Sequence, residues 1–192
     1  MKRILMIIIA ALPLLIFAFE EAGLEFYNAE GVYPINNRDY APTIIRLFDD
    51  AEKTIHIMML SAGYYPNYPK GVNRQIYQSL FDAAERGVEV IVVLDQSGYN
   101  PSQSVSNMEL GEFLRSGGVD VYYDDPDVTV HSKTLMIDSL YTSVGSTNWS
   151  YWALDKNNES SVLIKSEEVG RIYEEYFADV FNRSHPKITV IN

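Results

Sequence analysis

Apolar residues recur along the chain at two spacings, one typical of buried strands and one typical of amphipathic helices. Two strongly apolar runs, at 54–60 and 88–94, predict central strands. Shorter runs predict further strands at 24–28, 119–123, 135–138, 141–144 and 159–164. Helical spacing and capping residues predict helices near Asp39, at Val72, at Met108 and after Ser166. Because strands alternate with helices, the pattern predicts a single α/β domain whose sheet is covered on both faces.

The first 22 residues follow a different pattern. Residues 1–3 carry two positive charges, residues 4–19 carry none, and two glutamates follow. This apolar segment is slightly longer than a usual signal-peptide core and shorter than a comfortable membrane span. We therefore expect residues 1–22 to be a signal peptide or an N-terminal membrane anchor, so that the protein is exported or anchored outside the cytoplasm. Residues 23–192 are then the folded domain.

Composition narrows the class of protein. Hydrophobic residues make up 47% of the 192 residues, which is typical of a globular chain, and no cysteine is present, which excludes disulfides and thiolate metal sites. The net charge is -11, an unfavourable balance for binding a polyanion. Lys70, Arg74 and Lys133 are candidates for a local basic pocket within this acidic surface.

Two features near the first central strand have competing interpretations. The predicted loop 61–71 contains Tyr64, Tyr65 and Tyr68, which could stack on bases, lie against lipid, or pack on their own domain. Packing on the domain is the commoner use of such a loop. His56 lies between two isoleucines within the strand, and we expect it to be structural.

Polar residues at alternate positions mark the candidate site. If 131–137 is read as a strand, His131 and Lys133 lie on the same face, and Ser146 and Asn148 repeat this spacing on a second segment. An imidazole, an ammonium, a hydroxyl and an amide suit a phosphodiester, which needs a nucleophile and groups that stabilise its oxygens.

The spacing of these residues resembles the H-x-K-x4-D-x6-G-S-x-N signature of the phospholipase D superfamily, and Glu159 stands at the family's spacing of eleven residues after Asn148. The resemblance is closest to small bacterial endonucleases with one motif per chain. It implies a mixed sheet and a covalent phosphohistidine at His131. It also implies that Lys133, Ser146 and Asn148 hold the phosphoryl oxygens, while Glu159 accepts a hydrogen bond from His131.

Asp138 also belongs to the signature, but its position predicts a structural role. It lies five residues beyond Lys133, roughly 16 Å along a strand, with odd parity relative to His131. The sequence offers no carboxylate cluster for a metal, so we expect the reaction to need neither metal nor cofactor.

The reaction also needs a second imidazole as general acid and base. Neither His56 nor His185 stands in a comparable motif. The simplest source is His131 of another subunit, so we expect a homodimer that shares one active site.

Three functions remain open on the sequence. A metal-independent nuclease is favoured by the compact single-motif chain. A phospholipase D acting on phospholipid headgroups is favoured by the net acidity, by the tyrosine loop and by possible membrane association through residues 4–19. A non-catalytic binding module is disfavoured by the intact motif.

Overall fold

The architecture is a seven-stranded sheet in a computed structural model that describes residues 25–189. The strands run in the spatial order β1-β7-β6-β5-β2-β3-β4. Their bounds are β1 Gly31–Asn36, β2 Thr54–Met59, β3 Glu89–Leu94, β4 Asp120–Tyr123, β5 Lys133–Ile137, β6 Tyr141–Gly145 and β7 Ser160–Lys165. The helices are α1 Tyr40–Asp50, α2 Val72–Glu85, α3 Pro101–Arg115, α4 Tyr151–Asp155 and α5 Glu167–Phe181.

Strand directions change at β2. The strands β2, β3 and β4 are parallel, whereas β5, β6, β7 and β1 follow as antiparallel neighbours. Parallel neighbours need a crossover, which α2 and α3 supply, while β5 and β6 need only a tight turn. The expectation of one α/β domain with a mixed sheet is confirmed.

Helices cover both faces of this sheet, as predicted. The larger core contains apolar residues of α1, α2 and α3 together with alternate residues of the central strands, such as Ile57 and Leu135. On the other face, α5 packs Phe177 and Val180 against Met58 and Met136. The alternation therefore places Lys133, two residues before Leu135, on the strand face that carries the larger core.

The first strand lies later than the sequence predicts. Residues 25–29 form no strand, and β1 runs through Pro34, where the predicted strand was expected to have ended. β1 pairs only with β7, so it is an edge strand, where a proline removes no needed donor. Because only Ile35 of β1 is buried, the spacing of apolar residues gives little indication of where this strand lies.

Two helix predictions also need correction. Helix α3 begins at Pro101, not at Met108, because the Asn100 side chain accepts a hydrogen bond from Gln103 N and Pro101 suits the first helical position. On α5, the helical spacing of apolar residues predicts that Tyr176 is buried together with Phe177 and Val180, but Tyr176 is 52% exposed. The predicted cap of α5 is confirmed, since Ser166 Oγ accepts a hydrogen bond from Val169 N at 3.3 Å.

The predicted signal peptide or anchor, residues 1–22, lies outside the described residues. Within residues 25–189, no helix is long and apolar enough to cross a membrane.

Candidate active site

The site centres on the start of β5, where the chain enters the sheet from an acidic turn. Strand β5 begins at Lys133, so His131 precedes the strand and does not belong to it, and the His131 backbone N–H donates to Thr129 O. Lys133 Nζ donates to the His131 carbonyl oxygen at 2.7 Å and lies 3.4 Å from His131 Nδ1. The predicted pair is therefore brought together, with an exposed imidazole beside a buried ammonium.

Burial gives Lys133 an unusual environment. Its residue surface is only 8% exposed, and burial lowers the pKa of its ammonium, while the charges of Glu159 and Asp95 act in the opposite direction. A desolvated cation interacts more strongly with an anion than a solvated one does. Lys133 is thus suited to bind a phosphoryl oxygen.

The Gly145-Ser146 segment packs tightly against β7. A Cβ atom at Gly145 would lie 2.5 Å from the Ser161 Cα, so only glycine fits this close approach. Ser146 Oγ donates to Glu159 Oε2 and accepts from Ser160 N. The two predicted residues Ser146 and Glu159 therefore meet across β6 and β7.

The expected hydrogen bond between Glu159 and His131 is not formed within the described residues. The Glu159 carboxylate accepts from Ser146 Oγ and from Asn157 Nδ2, the latter at 2.9 Å. Its backbone N–H donates to Asn37 Oδ1. These partners hold the carboxylate beside β6, and its effect on the His131–Lys133 pair is electrostatic, through Lys133.

Asn148 stands at the end of the same segment. Its side-chain oxygen Oδ1 is buried and has no hydrogen-bond partner among the described residues. The following residue is anchored on both sides: Trp149 N donates to Ser61 O, and Trp149 O accepts from Gly63 N. The segment that carries Asn148 is therefore fixed by the loop after β2.

Asp138 is a structural residue at the opposite end of β5. Its carboxylate accepts three backbone hydrogen bonds, from Glu52 N at 3.0 Å, Lys53 N at 2.7 Å and Thr54 N at 2.9 Å. Asp138 and Ser139 both have positive φ and form the tight turn between β5 and β6. The carboxylate thus links this turn to the start of β2.

The other two histidines lie elsewhere. His56 Nδ1 bonds to Glu174 Oε2 at 2.6 Å, and its ring stacks on Phe177 at 4.6 Å, on the α5 face of the sheet. Burial acts to lower the pKa of His56, but Glu174 and Glu89 outweigh it and the net pKa is raised. His185 is exposed and lies beside the edge strand β4, where its backbone exchanges two hydrogen bonds with the backbone of Tyr123. The described residues therefore offer one imidazole beside Lys133.

Two buried aspartates, Asp95 and Asp124, lie behind the His131–Lys133 pair and were not predicted from the sequence. Asp95 follows β3 and is fully buried, with Oδ2 accepting from Gln103 and Oδ1 unpartnered among the described residues. Asp124 accepts from the backbone N–H groups of Gln96 and Val130, both at 2.7 Å, and burial raises its pKa to about 7. Asp124 thus fixes the turn that leads to His131. The available signal was the position of Asp95 at the carboxyl end of a parallel strand, where ligand sites form.

The predicted basic pocket is only partly formed. Lys70 and Arg74 line a cavity of about 670 Å³, but Lys133 does not contribute to it. The cavity walls are rich in aromatic residues and come from the 64–71 loop, α2 and α4. For metals, the described residues contain no group of three or more His, Cys, Asp or Glu side chains that could hold one ion.

Comparison with known proteins relates this geometry to a family. The family model described as "Cardiolipin synthase, PLD-like domain" matches residues 44–181. The mitochondrial cardiolipin hydrolase of Homo sapiens is 28% identical over 102 residues, which are 53% of this chain and 38% of that protein. The chain therefore covers well under half the length of this curated relative.

Two solved structures share the fold over nearly their whole length. A phospholipase D family member, Nuc from Salmonella typhimurium, has a TM-score of 0.67 and 23% identity, with 81% of this chain and 96% of that chain covered. NucT from Helicobacter pylori has a TM-score of 0.62 and 16% identity, with 81% and 99% covered.

Proposed function

The chain belongs to the phospholipase D-like family, and we propose that it hydrolyses phosphodiesters through a covalent phosphohistidine at His131, with nucleic acid as its substrate. The observation that carries this proposal is the exposed His131 imidazole held 3.4 Å from the buried Lys133 ammonium. A nucleophile beside a desolvated cation is the arrangement that an anionic phosphorus centre requires.

The reaction proceeds in two balanced steps. A ring nitrogen of His131 forms a bond to phosphorus, the bond from phosphorus to the leaving oxygen breaks, and that oxygen takes a proton from a second imidazolium. Water then attacks phosphorus, gives its proton to the second imidazole, and releases His131 as the N–P bond breaks. The second group acts first as acid and then as base.

The neighbouring residues stabilise charge in both steps. Lys133 transfers its hydrogen bond from the His131 carbonyl to a phosphoryl oxygen, and the amide of Asn148 and the hydroxyl of Ser146 complete the oxygen site. Glu159 favours the charged form of Lys133, because its carboxylate acts to raise the pKa of that ammonium against the larger effect of burial. It also orients Ser146 through their hydrogen bond.

The second imidazole comes from His131 of the partner subunit in a homodimer. One chain supplies one His-Lys-Asn set, and the exposed position of His131 leaves it accessible to a second copy. A twofold axis beside His131 would bring two identical half-sites together on opposite sides of phosphorus.

Nucleic acid is supported by the compact architecture with one motif per chain. Phospholipid is the second candidate, and a specific observation favours it: the matching family and the human relative carry cardiolipin in their names. The acidic net charge of -11 and the apolar residues 4–19 also fit a membrane enzyme better than a nuclease.

A substrate panel tests the assignment. The purified protein is incubated with single-stranded DNA, RNA, and vesicles of phosphatidylcholine or cardiolipin. We expect nucleic-acid cleavage that His131→Ala reduces to background while the fold is retained, because an exposed side chain contributes little packing. His185→Ala is the matched control and should keep full activity. Cleavage by His131→Ala would show that another group is the nucleophile, and His131-dependent cleavage of lipid alone would replace the substrate class.

Subunit mixing tests the shared site. Each dimer site contains both copies of His131, so a heterodimer of wild type and His131→Ala has only one imidazole. With free exchange at equal amounts, about half of the wild-type chains pair with each other, and activity per wild-type chain should fall to about half. Activity should also fall on dilution below the dimer dissociation constant. An active monomer by sedimentation, or no inhibition despite proven exchange, would refute the shared site.

A further inference from the structure

A cavity of about 670 Å³ opens beside the motif segment, and it has no assigned role. We call it the aromatic pocket and define it by its lining loop 64–71, part of α2, and helix α4. Its rim carries exposed aromatic rings, Tyr68 at 71%, Trp152 at 64% and Tyr151 at 45%. Large aromatic groups left in water at one place mark an interaction site.

The pocket is attached directly to the catalytic segment. Trp149, the residue after Asn148, accepts hydrogen bonds on its carbonyl oxygen from Gly63 N at 3.0 Å and from Asn73 Nδ2 at 2.7 Å. Gly63 leads into the loop wall, Asn73 lies on α2, and α4 begins two residues after Trp149. All three walls therefore meet at the backbone beside Asn148.

The walls are also held in place. Tyr77 donates its hydroxyl to Gly63 O at 2.8 Å, and the Tyr65 hydroxyl accepts from Tyr151 N at 3.1 Å, which ties the loop to α4. The Tyr65 ring packs over Gly63 so closely that a Cβ there would lie 2.4 Å from it. Tyr64 stacks on Phe113 at 4.5 Å. A ligand that binds between walls fixed in this way does not have to order the loop or α4.

The lining chemistry identifies the ligand class. Tyrosines, a tryptophan and two prolines dominate the walls, while Val72 and Leu154 are the only aliphatic lining residues from the described part of the chain. An acyl chain would be enclosed by aliphatic groups, whereas flat rings suit a planar heterocycle. Lys70 and Arg74 also line the pocket, and the charge of the one lining acid, Asp155, is paired with Lys156 at 2.7 Å. The pocket is therefore locally cationic within an acidic protein.

We propose that the aromatic pocket stacks an unpaired nucleobase of a single-stranded substrate, next to the scissile phosphate, with Lys70 and Arg74 facing the strand's phosphates. This inference rests on nucleic acid being the substrate. It adds that the strand is bound unpaired and that the rim aromatics recognise bases without reading their identity, since every base has a π-face.

Binding measurements on two oligonucleotides test the pocket. In a His131→Ala background, which prevents turnover, Tyr68→Leu and Trp152→Leu remove a ring but keep apolar bulk. Fluorescence anisotropy compares a twelve-residue oligothymidylate with an abasic strand of the same length and charge. Each variant should weaken oligothymidylate binding roughly 5- to 150-fold, the contribution of one stacked base, and change abasic binding less than twofold. The matched control is Tyr99→Leu, because Tyr99 is 96% exposed and does not line the pocket; it should behave as the parent.

A charge variant separates stacking from phosphate contacts. Lys70→Gln should weaken both strands equally and reduce the slope of log affinity against log salt by about 0.7, the value for one phosphate contact on a single strand. Equal losses on both strands for the ring variants would overturn stacking. Unchanged oligothymidylate binding by both ring variants would also overturn it. Ring variants that sediment as monomers would overturn it as well, because the pocket would then be a subunit interface.

The same experiments distinguish this inference from the proposed function. If His131-dependent cleavage occurs on DNA while the ring variants match Tyr99→Leu, only the pocket assignment fails. If oligothymidylate is neither bound nor cleaved, and the ring variants instead reduce binding to phosphatidylcholine vesicles, both the nucleic-acid substrate and the base site fail.

Discussion

A substitution at Asp138 should change the stability of the fold without changing catalysis, because Asp138 belongs to the motif yet lies far from the reacting atoms. Its carboxylate accepts three backbone hydrogen bonds from the residues that lead into β2. Hydrogen bonds to a charged group contribute about 1.5–3 kcal/mol each, but the three share one partly solvated carboxylate and are not additive. We take about 2–4 kcal/mol for the set.

Backbone conformation adds to this cost. Asp138 has a φ of 54°, a left-handed conformation that aspartate, asparagine and glycine tolerate. Alanine is strained in this conformation, at a cost of about 1 kcal/mol. Asp138→Ala should therefore lower the free energy of unfolding by about 3–5 kcal/mol, or the melting temperature by roughly 6–20 °C for a chain of this size. Asp138→Gly should be about 1 kcal/mol less harmful, and Asp138→Asn, which keeps one acceptor oxygen, milder still.

Urea unfolding at fixed protein concentration measures these differences, and phosphodiester hydrolysis measured well below the unfolding transition gives kcat. We expect kcat of the folded variants to stay within about threefold of wild type, because the carboxylate lies at the far end of β5, roughly 16 Å from Lys133. A loss of kcat above a hundredfold with unfolding free energy unchanged would refute the structural role.

Four further predictions concern charge at and around the site. Saturating EDTA should leave hydrolysis unchanged, because Lys133 supplies the cation for the phosphoryl oxygens; activity lost to EDTA and restored by a divalent ion would contradict this. Lys133→Met should lower kcat/KM at least about a thousandfold with little loss of stability, since it replaces a desolvated ammonium by an apolar chain of similar length; retained activity would exclude Lys133 from the oxygen site. Rising pH should destabilise the fold between about pH 4 and 7, because the folded state keeps the proton of Asp124, whose pKa is raised to about 7, after the unfolded chain has lost it. The unfolding free energy decreases by at most about 4 kcal/mol over this range. Asp124→Asn should make the unfolding free energy, measured in urea at several pH values, depend less on pH. His56 acts in the same direction, because its pKa is raised in the folded state. Its protonation stabilises the fold below about pH 6.5, and this stabilisation is lost as the pH rises through the pKa of the folded state. His56→Phe should remove this part of the dependence of the unfolding free energy on pH.

Local patterns predicted the elements whose residues have a clear inside and outside. The buried strands β2 and β3 are strongly apolar because both of their faces are covered. The turn between β5 and β6 and the cap at Ser166 were also evident from short-range signals. The edge strand β1 was misplaced because most of its side chains face solvent, so its pairing with β7 leaves almost no mark on the apolar pattern.

For the site, the sequence by itself determined which residue types are present and that His131 and Lys133 are neighbours, because two residues along an extended chain face the same way. Tertiary structure decided the partners. Glu159 bonds to Ser146 and not to His131 because β6 and β7 pair in a register that sets Gly145 against Ser161. Asp95 comes close enough to His131 and Lys133 to interact with their charges only because β3 and β5 flank the same strand, β2. Such contacts join residues far apart in the chain, and no local spacing encodes them.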